Sequence, residues 1–592
     1  MAKTSLLIGL LFFAVTGRVS GAQSTPTIQI GTKLVVVDVV VTDSHGNPVH
    51  GLKKTDFVVT EGGAAQTVGS FEEHVALDSA KLAAAARLMP KLEPGVFSNY
   101  VPVQENSAVN ILLLDSLNTP TNDQMFVRKQ LLQYVNNVRP GVRIAIFGLG
   151  ARLVMLQNFT SNPEILKRVI SAKKSEASSM LNDPTGGIEQ QESMADLLAD
   201  QQGDSEVPEQ MIQNVASFDA VVQSMQDSTR AKTTLDALNQ LARYLGGIPG
   251  RKNLMWFSGS FPINILPDMD SLGDAFAGMA SAEEEFKDTV RMLGRAQVAV
   301  YPIDARGLMI SPALTTAVPS NEAVRPGGYL KANNKFSNET SSENNTMFRM
   351  ADDTGGKAFV NNNGLAQAVE SAIDAGSNYY TLTYTPTNTK WHGDYRAIRV
   401  KLEGAHGGEK LFYRRGYYAD EEKPRPVAPA RNPMLVAATH GAPAATQILF
   451  RTKITPVAGV AAATALKGNR PAAGENGPWR QYLVQYQTES GNLVRTPMPD
   501  GTTAFKVNLA VAVYDMAGKM VNSVGNTMSS ALTAEQIAGL WQHGLEYSQW
   551  ISVPETGRYT LRIVVGDAGG DKVGSVELPV AAVKDLPGLK LP

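Results

Sequence analysis

Ile111-Leu112-Leu113-Leu114-Asp115-Ser116-Leu117-Asn118-Thr119 is the stretch on which the reading of this chain turns. A continuous apolar run that ends in an acid and small polar residues is what a strand covered on both faces needs; a half-exposed strand would alternate. Thr121 to Val138 follows, with Phe126, Leu131, Tyr134, Val135 and Val138 at helical spacing, and Arg139-Pro140-Gly141 stops it. The alternation then recurs. Val142 to Gly148 reads as a strand with Leu153 to Leu156 as its companion, and Pro163 to Ile170 opens a helix. Helix Thr234 to Leu245, strand Leu254 to Phe257, helix Glu283 to Ala296, strand Val298 to Ile303, helix Leu365 to Ala375 and strand Tyr379 to Tyr384 complete the series. This order predicts an α/β fold over residues 107–385, a doubly wound and mostly parallel sheet. Two polar segments, 173–212 and 306–345, read as surface insertions, the second overhanging the strand ends.

The flanks have a different texture. Leu34 to Val41 is a β-branched run, and Phe57 to Glu61 is a second strand running into Gly62-Gly63, so residues 28–76 read as a small β unit. Tyr395 to Leu402 and Leu411 to Tyr418 are strands again, and residues 386–420 are expected to continue that unit into one sandwich. Residues 421–446, with repeated Pro and Ala, read as a linker. Beyond it Phe505, Val507, Leu509, Val511 and Val513 alternate with Lys506, Asn508, Ala510 and Ala512, and Tyr559, Leu561, Ile563 and Val565 repeat the pattern. Residues 447–592 are therefore expected to form a second β-sandwich that folds alone.

The chain has 592 residues, no cysteine and a formal net charge of −2. The missing thiols exclude disulfides, Cys-ligated zinc or iron–sulfur clusters and a Cys nucleophile. The charge gives no bulk attraction to nucleic acid, and no nucleic-acid partner is expected. Lys3, the apolar Leu6 to Val15 and the small residues Ser20-Gly21-Ala22 have the order of an export signal. Residues 1–22 thus read as a signal peptide and the mature chain as periplasmic or secreted. No later stretch approaches the ~18 apolar residues of a spanning helix, so no transmembrane segment is expected in the mature chain.

Ligand sites of open α/β sheets lie at the carboxyl ends of the parallel strands. Those ends carry Asp115 to Thr119, Ser258-Gly259-Ser260 and Asp304, and Thr233-Thr234 precede the helix before Leu254. One carboxylate among hydroxyls is oxygen-only ligation suited to Mg²⁺ or Mn²⁺. The alternative is that Asp115 and Thr119 cap the following helix. None of the histidines, His45, His50, His74, His392, His406, His440 and His543, falls in the α/β core, which argues against a Ser-His-Asp triad there. The chain contains no Gly-x-Ser-x-Gly elbow, P-loop, His-Glu-x-x-His or dinucleotide fingerprint.

The ordered set Asp43-Ser44-His45-Gly46, Leu113 to Thr119, Trp256-Phe257-Ser258-Gly259, Tyr301-Pro302-Ile303-Asp304-Ala305 and Tyr413-Arg414-Arg415-Gly416-Tyr417-Tyr418 resembles the von Willebrand factor type A-related (VWFA-related) proteins of the Acidobacterial type, over about residues 30–420. The resemblance implies a vWA fold and a metal-ion-dependent adhesion site, built from Asp-x-Ser-x-Ser, a distant Thr and a later Asp. Asp115 matches the first Asp, Thr119 the last Ser, and Thr233 or Thr234 the Thr. Leu117 stands in place of the first Ser, and Gly259 where the later Asp is expected. The site is degenerate, and Mg²⁺, Mn²⁺ or Ca²⁺ is expected to bind weakly or not at all. The expected function is an exported, non-catalytic binding or scaffold protein with a protein partner at the cell envelope. Its partner face would carry Asn118, Ser258 and Asp304, and losing Asn118 and Ser258 would then cost little stability. The alternative is a hydrolase acting on extracellular polymers.

Overall fold

The computed structural model describes residues 34–76, 92–100, 109–139, 142–178, 180, 209–260, 275–311, 328–404, 408–419, 432–488, 493–537 and 544–589. The expected signal peptide lies outside them, as do most of the 173–212 insertion and part of the second. The chain is mixed α/β. Among the described residues one sheet contains parallel strands, and the other sheets are antiparallel.

The middle unit runs β1 (Val109–Asp115), α1 (Thr121–Asn136), β2 (Ile144–Leu149), β3 (Leu153–Thr160), α2 (Pro163–Ala172), α3 (Glu209–Leu245), β4 (Lys252–Ser258), α4 (Ala275–Arg295), β5 (Val298–Asp304), α5 (Gly328–Thr354) and α6 (Leu365–Ser377). Its sheet has the order β5-β4-β1-β2-β3, parallel except for β3, which runs antiparallel along β2. Successive side chains of a strand point to opposite faces. Ile111 and Leu113 of β1 therefore pack with Leu238 and Leu241 of α3 and Phe286 and Leu293 of α4. Leu112 between them packs with Val127 and Leu131 of α1, Leu166 of α2 and Val369 of α6. Apolar cover on both faces is why β1 is a continuous apolar run.

Residues 34–76 and 395–418 share one sandwich, and each flanking β unit takes one strand more than the sequence expectation gave it. Strands Val35–Thr42 and Val68–His74 share a sheet with Tyr379–Tyr384 and Lys410–Phe412, and Phe57–Glu61 shares the facing sheet with Tyr395–Leu402 and Gly416–Tyr418. One core joins them, including Val37, Val39, Phe57, Val59, Tyr380, Leu382 and Ile398. Tyr379–Tyr384, read from sequence as the end of the α/β domain, thus belongs to the sandwich, in register with Val35 to Val39.

The C-terminal unit also differs. Phe505, Val507, Leu509, Val511 and Val513 do face one core together with Leu561, Ile563 and Val565. Its second sheet, however, takes Val96–Ser98 from ahead of the α/β domain, paired with Arg451 to Lys453. The stretch expected as a linker is packed where it is described. Helix Pro433–Ala438 lies on the strands Tyr559–Asp567 and Val573–Pro579, and buried Arg562 donates to the carbonyls of Ala437 at 2.7 Å and Pro443 at 3.0 Å. Thr446 bonds the end of α3 through the Tyr244 carbonyl and the Gly247 amide. In the 306–345 segment α5 begins at Gly328, a helix the sequence reading did not foresee; it buries Met347, Met350 and Ala351 only beyond the segment's end.

Candidate functional site

Parallel pairing sets the strand ends side by side. Asp304 lies opposite Ser258, and β1 runs alongside β4 up to the pair Leu114 and Phe257, which places Asp115 at the same edge. Each end turns sharply into a loop, so the polar residues that follow converge above the sheet.

Asp115 is the centre of that convergence. Its Oδ1 accepts the Asn118 amide at 3.0 Å. Its Oδ2 accepts from Asn118 Nδ2 at 2.8 Å, Trp256 Nε1 at 3.0 Å and Ser258 Oγ at 3.0 Å. Burial pushes this carboxyl above the ordinary range, and those donors pull against it without cancelling the burial. Asn118 continues the network. Its Nδ2 also donates to Thr234 Oγ1 at 2.8 Å, and its Oδ1 accepts Arg230 Nε at 3.1 Å. The Arg230 guanidinium then reaches Ser260 Oγ at 2.8 Å and Asp227 at 3.3 Å. Thr119 Oγ1 accepts the Gly259 amide at 2.9 Å.

Three sequence expectations are corrected here. Thr234, not Thr233, joins the site; Thr233 Oγ1 donates back to the Thr229 carbonyl on its own helix. Asp115 and Thr119 do not cap α1, whose N-cap is Pro120 without a side-chain bond. Asn118, Ser258 and Asp304 do not form an open partner face: their exposures are 0 %, 0 % and 1 %. Asp304 is held by Arg306, whose Nε and Nη2 each bond a carboxylate oxygen at 3.0 Å while Nη1 reaches Glu343 at 2.6 Å.

These residues do not fit a divalent ion. Both Asp115 oxygens already accept donors. Leu117 packs in the core with Ile111 and Leu113. A Cβ at Gly259 would sit 3.0 Å from the Asn118 carbonyl and from Pro120 Cδ, so an aspartate there would need the loop to give by a few tenths of an ångström. The positive charge beside the loop comes from Arg230, a cation that stays protonated. Among the described residues no three His, Cys, Asp or Glu are grouped to hold a metal.

Arg230, Trp256 Nε1 and Arg306 are the members that sequence reasoning missed. Arg230 sits one helical turn before Thr234, so a helix face drawn from Thr234 would have included it. Arg306 is two residues beyond Asp304.

No family model matches this chain, and no curated protein matches it. Solved structures similar to it include a von Willebrand factor type A protein from Catenulispora acidiphila, at 9% identity and a TM-score of 0.19, covering 95% of this chain and 78% of that one. An aerotolerance-related membrane protein from Bacteroides fragilis is 10% identical with a TM-score of 0.22, covering 45% of this chain and 99% of that one. Proximal thread matrix protein 1 from the mussel byssus, with a zinc-occupied MIDAS motif, is 8% identical with a TM-score of 0.21, covering 47% of each chain. Likenesses of this size carry no argument about function; the side-chain geometry does.

Proposed function

We propose that this chain is an exported, non-catalytic scaffold or binding protein of the cell envelope, built on a doubly wound vWA-like domain whose strand-end loops work without a metal. The observation that supports this reading most is the closed network around Asp115, in which Asn118, Trp256, Ser258 and Arg230 occupy the groups a bound ion would need. A metal-dependent adhesion site completes its coordination with a partner's oxygen; a site already satisfied by its own side chains holds loops rigidly and leaves recognition to exposed surfaces. No helix among the described residues is long and apolar enough to cross a membrane, which is compatible with an exported chain.

The test is capture from cell-envelope extract by the immobilised intact chain, run in parallel in Mg²⁺ and in EDTA. The reading expects the same captured set in both. Capture that requires Mg²⁺ and is lost with Asp115→Ala would overturn it. Hydrolysis of an envelope polymer by the purified chain would overturn the non-catalytic half.

A further inference from the structure

The strand Tyr395–Leu402 has an edge that its neighbour covers only in part. On one side it pairs with Phe57–Glu61 along Ile398 to Leu402. On the other, among the described residues, Gly416–Tyr418 pairs with Tyr395 to Ala397, and the last bond on that side is the Ile398 amide donating to the Arg415 carbonyl at 2.7 Å. Backbone groups of a strand alternate between its two edges, so the amide and carbonyl of Val400 point the same way as those of Ile398, past the end of the covering strand. A groove of ≈340 Å³ runs along this edge, lined by Ile398, Val400, Arg399, Lys401, Tyr413 and Arg415.

The outward side chains give the groove a sign. Tyr395, Ala397, Arg399 and Lys401 alternate with buried Arg396, Ile398 and Val400. Across the ladder Arg399 faces Thr60 and Lys401 faces Val58, so no carboxylate lies opposite either cation. Arg415 is exposed and stacks over the Tyr413 ring at 4.7 Å. Among the described residues Arg399, Lys401 and Arg415 make no ion pair, and Glu403 just past the strand pairs with none of them. Glu61, the acid of the neighbouring strand, points inward to Arg396 at 3.2 Å and to the hydroxyls of Tyr384 and Tyr417.

We propose that this groove binds an extended, acidic peptide segment of a partner protein, which adds as a strand along Val400 and sets its carboxylates beside Arg399, Lys401 and Arg415. An added strand takes its affinity from main-chain bonds and its specificity from alternate side chains, and here one row of those side chains falls on the basic face. The proposal does not rest on the Asp115 loops. It stands whether or not they hold a metal, because every contact lies in the N-terminal sandwich.

The experiment measures binding of a fluorescein-labelled peptide of alternating Glu and Val to the intact chain by anisotropy, in EDTA. Saturable binding is expected. Arg399→Glu with Lys401→Glu should weaken it by at least about tenfold and create binding of the Lys–Val counterpart. A version of the acidic peptide with N-methylated alternate amides should also bind about tenfold more weakly. An unchanged melting temperature shows that the charge-reversed chain is folded, as expected for two exposed residues. The proposal is overturned by any of four results: no saturable binding, equal binding by the charge-reversed chain, equal binding of the N-methylated peptide (a polyanion patch without strand addition), or dimerisation of the intact chain that the same double substitution abolishes.

Discussion

The loops above the parallel sheet and the outer face of the N-terminal sandwich contain similar side chains in opposite circumstances. Arg230 is buried and bonds the amide oxygen of Asn118, the hydroxyl of Ser260 and the carboxylate of Asp227, while partly buried Arg306 bonds the carboxylates of Asp304 and Glu343. Arg399 and Lys401 stand exposed, with neutral Thr60 and Val58 opposite them on the neighbouring strand. The sequence singles out candidate ligands in the first region, and none on the strand that carries Arg399 and Lys401. Their difference teaches that polar residues at strand ends can serve the framework of the fold, while a strand without such a pattern leaves its charged groups exposed.

The contrast is broken most severely by substitutions in the buried network. Asp115→Asn puts an amide donor where Trp256, Ser258 and Asn118 all donate, and Arg230→Met leaves Asn118 Oδ1 and Ser260 Oγ without their cation. Each should lower unfolding free energy by about 3–4 kcal/mol, read by urea denaturation. Arg230→Lys keeps the charge without the fork and should fall between Met and wild type. Wild-type stability in Arg230→Met would remove the guanidinium from its assigned place.

A second prediction uses the opposite end of the same sheet. Lys252 at the start of β4 is 1% exposed and donates to the Ala296 carbonyl at 2.6 Å; burial pushes its pKa down to about 7, with Asp38 opposing the shift. Between pH 7 and the ordinary lysine range the unfolded chain holds a proton that the folded chain lacks. Stability therefore rises with pH across that window, and the penalty is fully present below it. Lys252→Met should be more stable at pH 6 by on the order of 3 kcal/mol and should flatten the rise. A pH profile unchanged by the substitution would contradict this.

Asn118→Ala sharpens the comparison at smaller scale. The sequence reading made Asn118 a partner contact that costs little to remove. The structure makes it a buried hub, so its loss should cost about 2 kcal/mol in the same denaturation experiment. At the other extreme, Arg399→Glu with Lys401→Glu should change stability by less than about 0.5 kcal/mol.

The α/β core was legible because burial on both faces writes itself into sequence as the run Ile111 to Leu114, and the one-sided sheets as the alternation from Phe505 to Val513. Threading was not legible. Val96–Ser98 is too short to show a period, and its partner lies some 350 residues later, beyond any local signal. Within the site, Asp115 and Thr119 were readable from their place after a strand. The choice of Thr234 over Thr233 was not, since one residue along a helix is a rotation of ~100°. Arg230 was hidden for the same reason that strand pairing was: its bond to Asn118 crosses more than a hundred residues and is set by how α3 packs on β1.

Calorimetric titration of Mg²⁺ and Mn²⁺ into the intact, EDTA-stripped chain asks whether these loops are held by side chains or by an ion. No saturable heat is expected with either metal, for the wild-type chain and for Asp115→Ala alike. A saturable isotherm in the low micromolar range that Asp115→Ala abolishes would contradict that expectation.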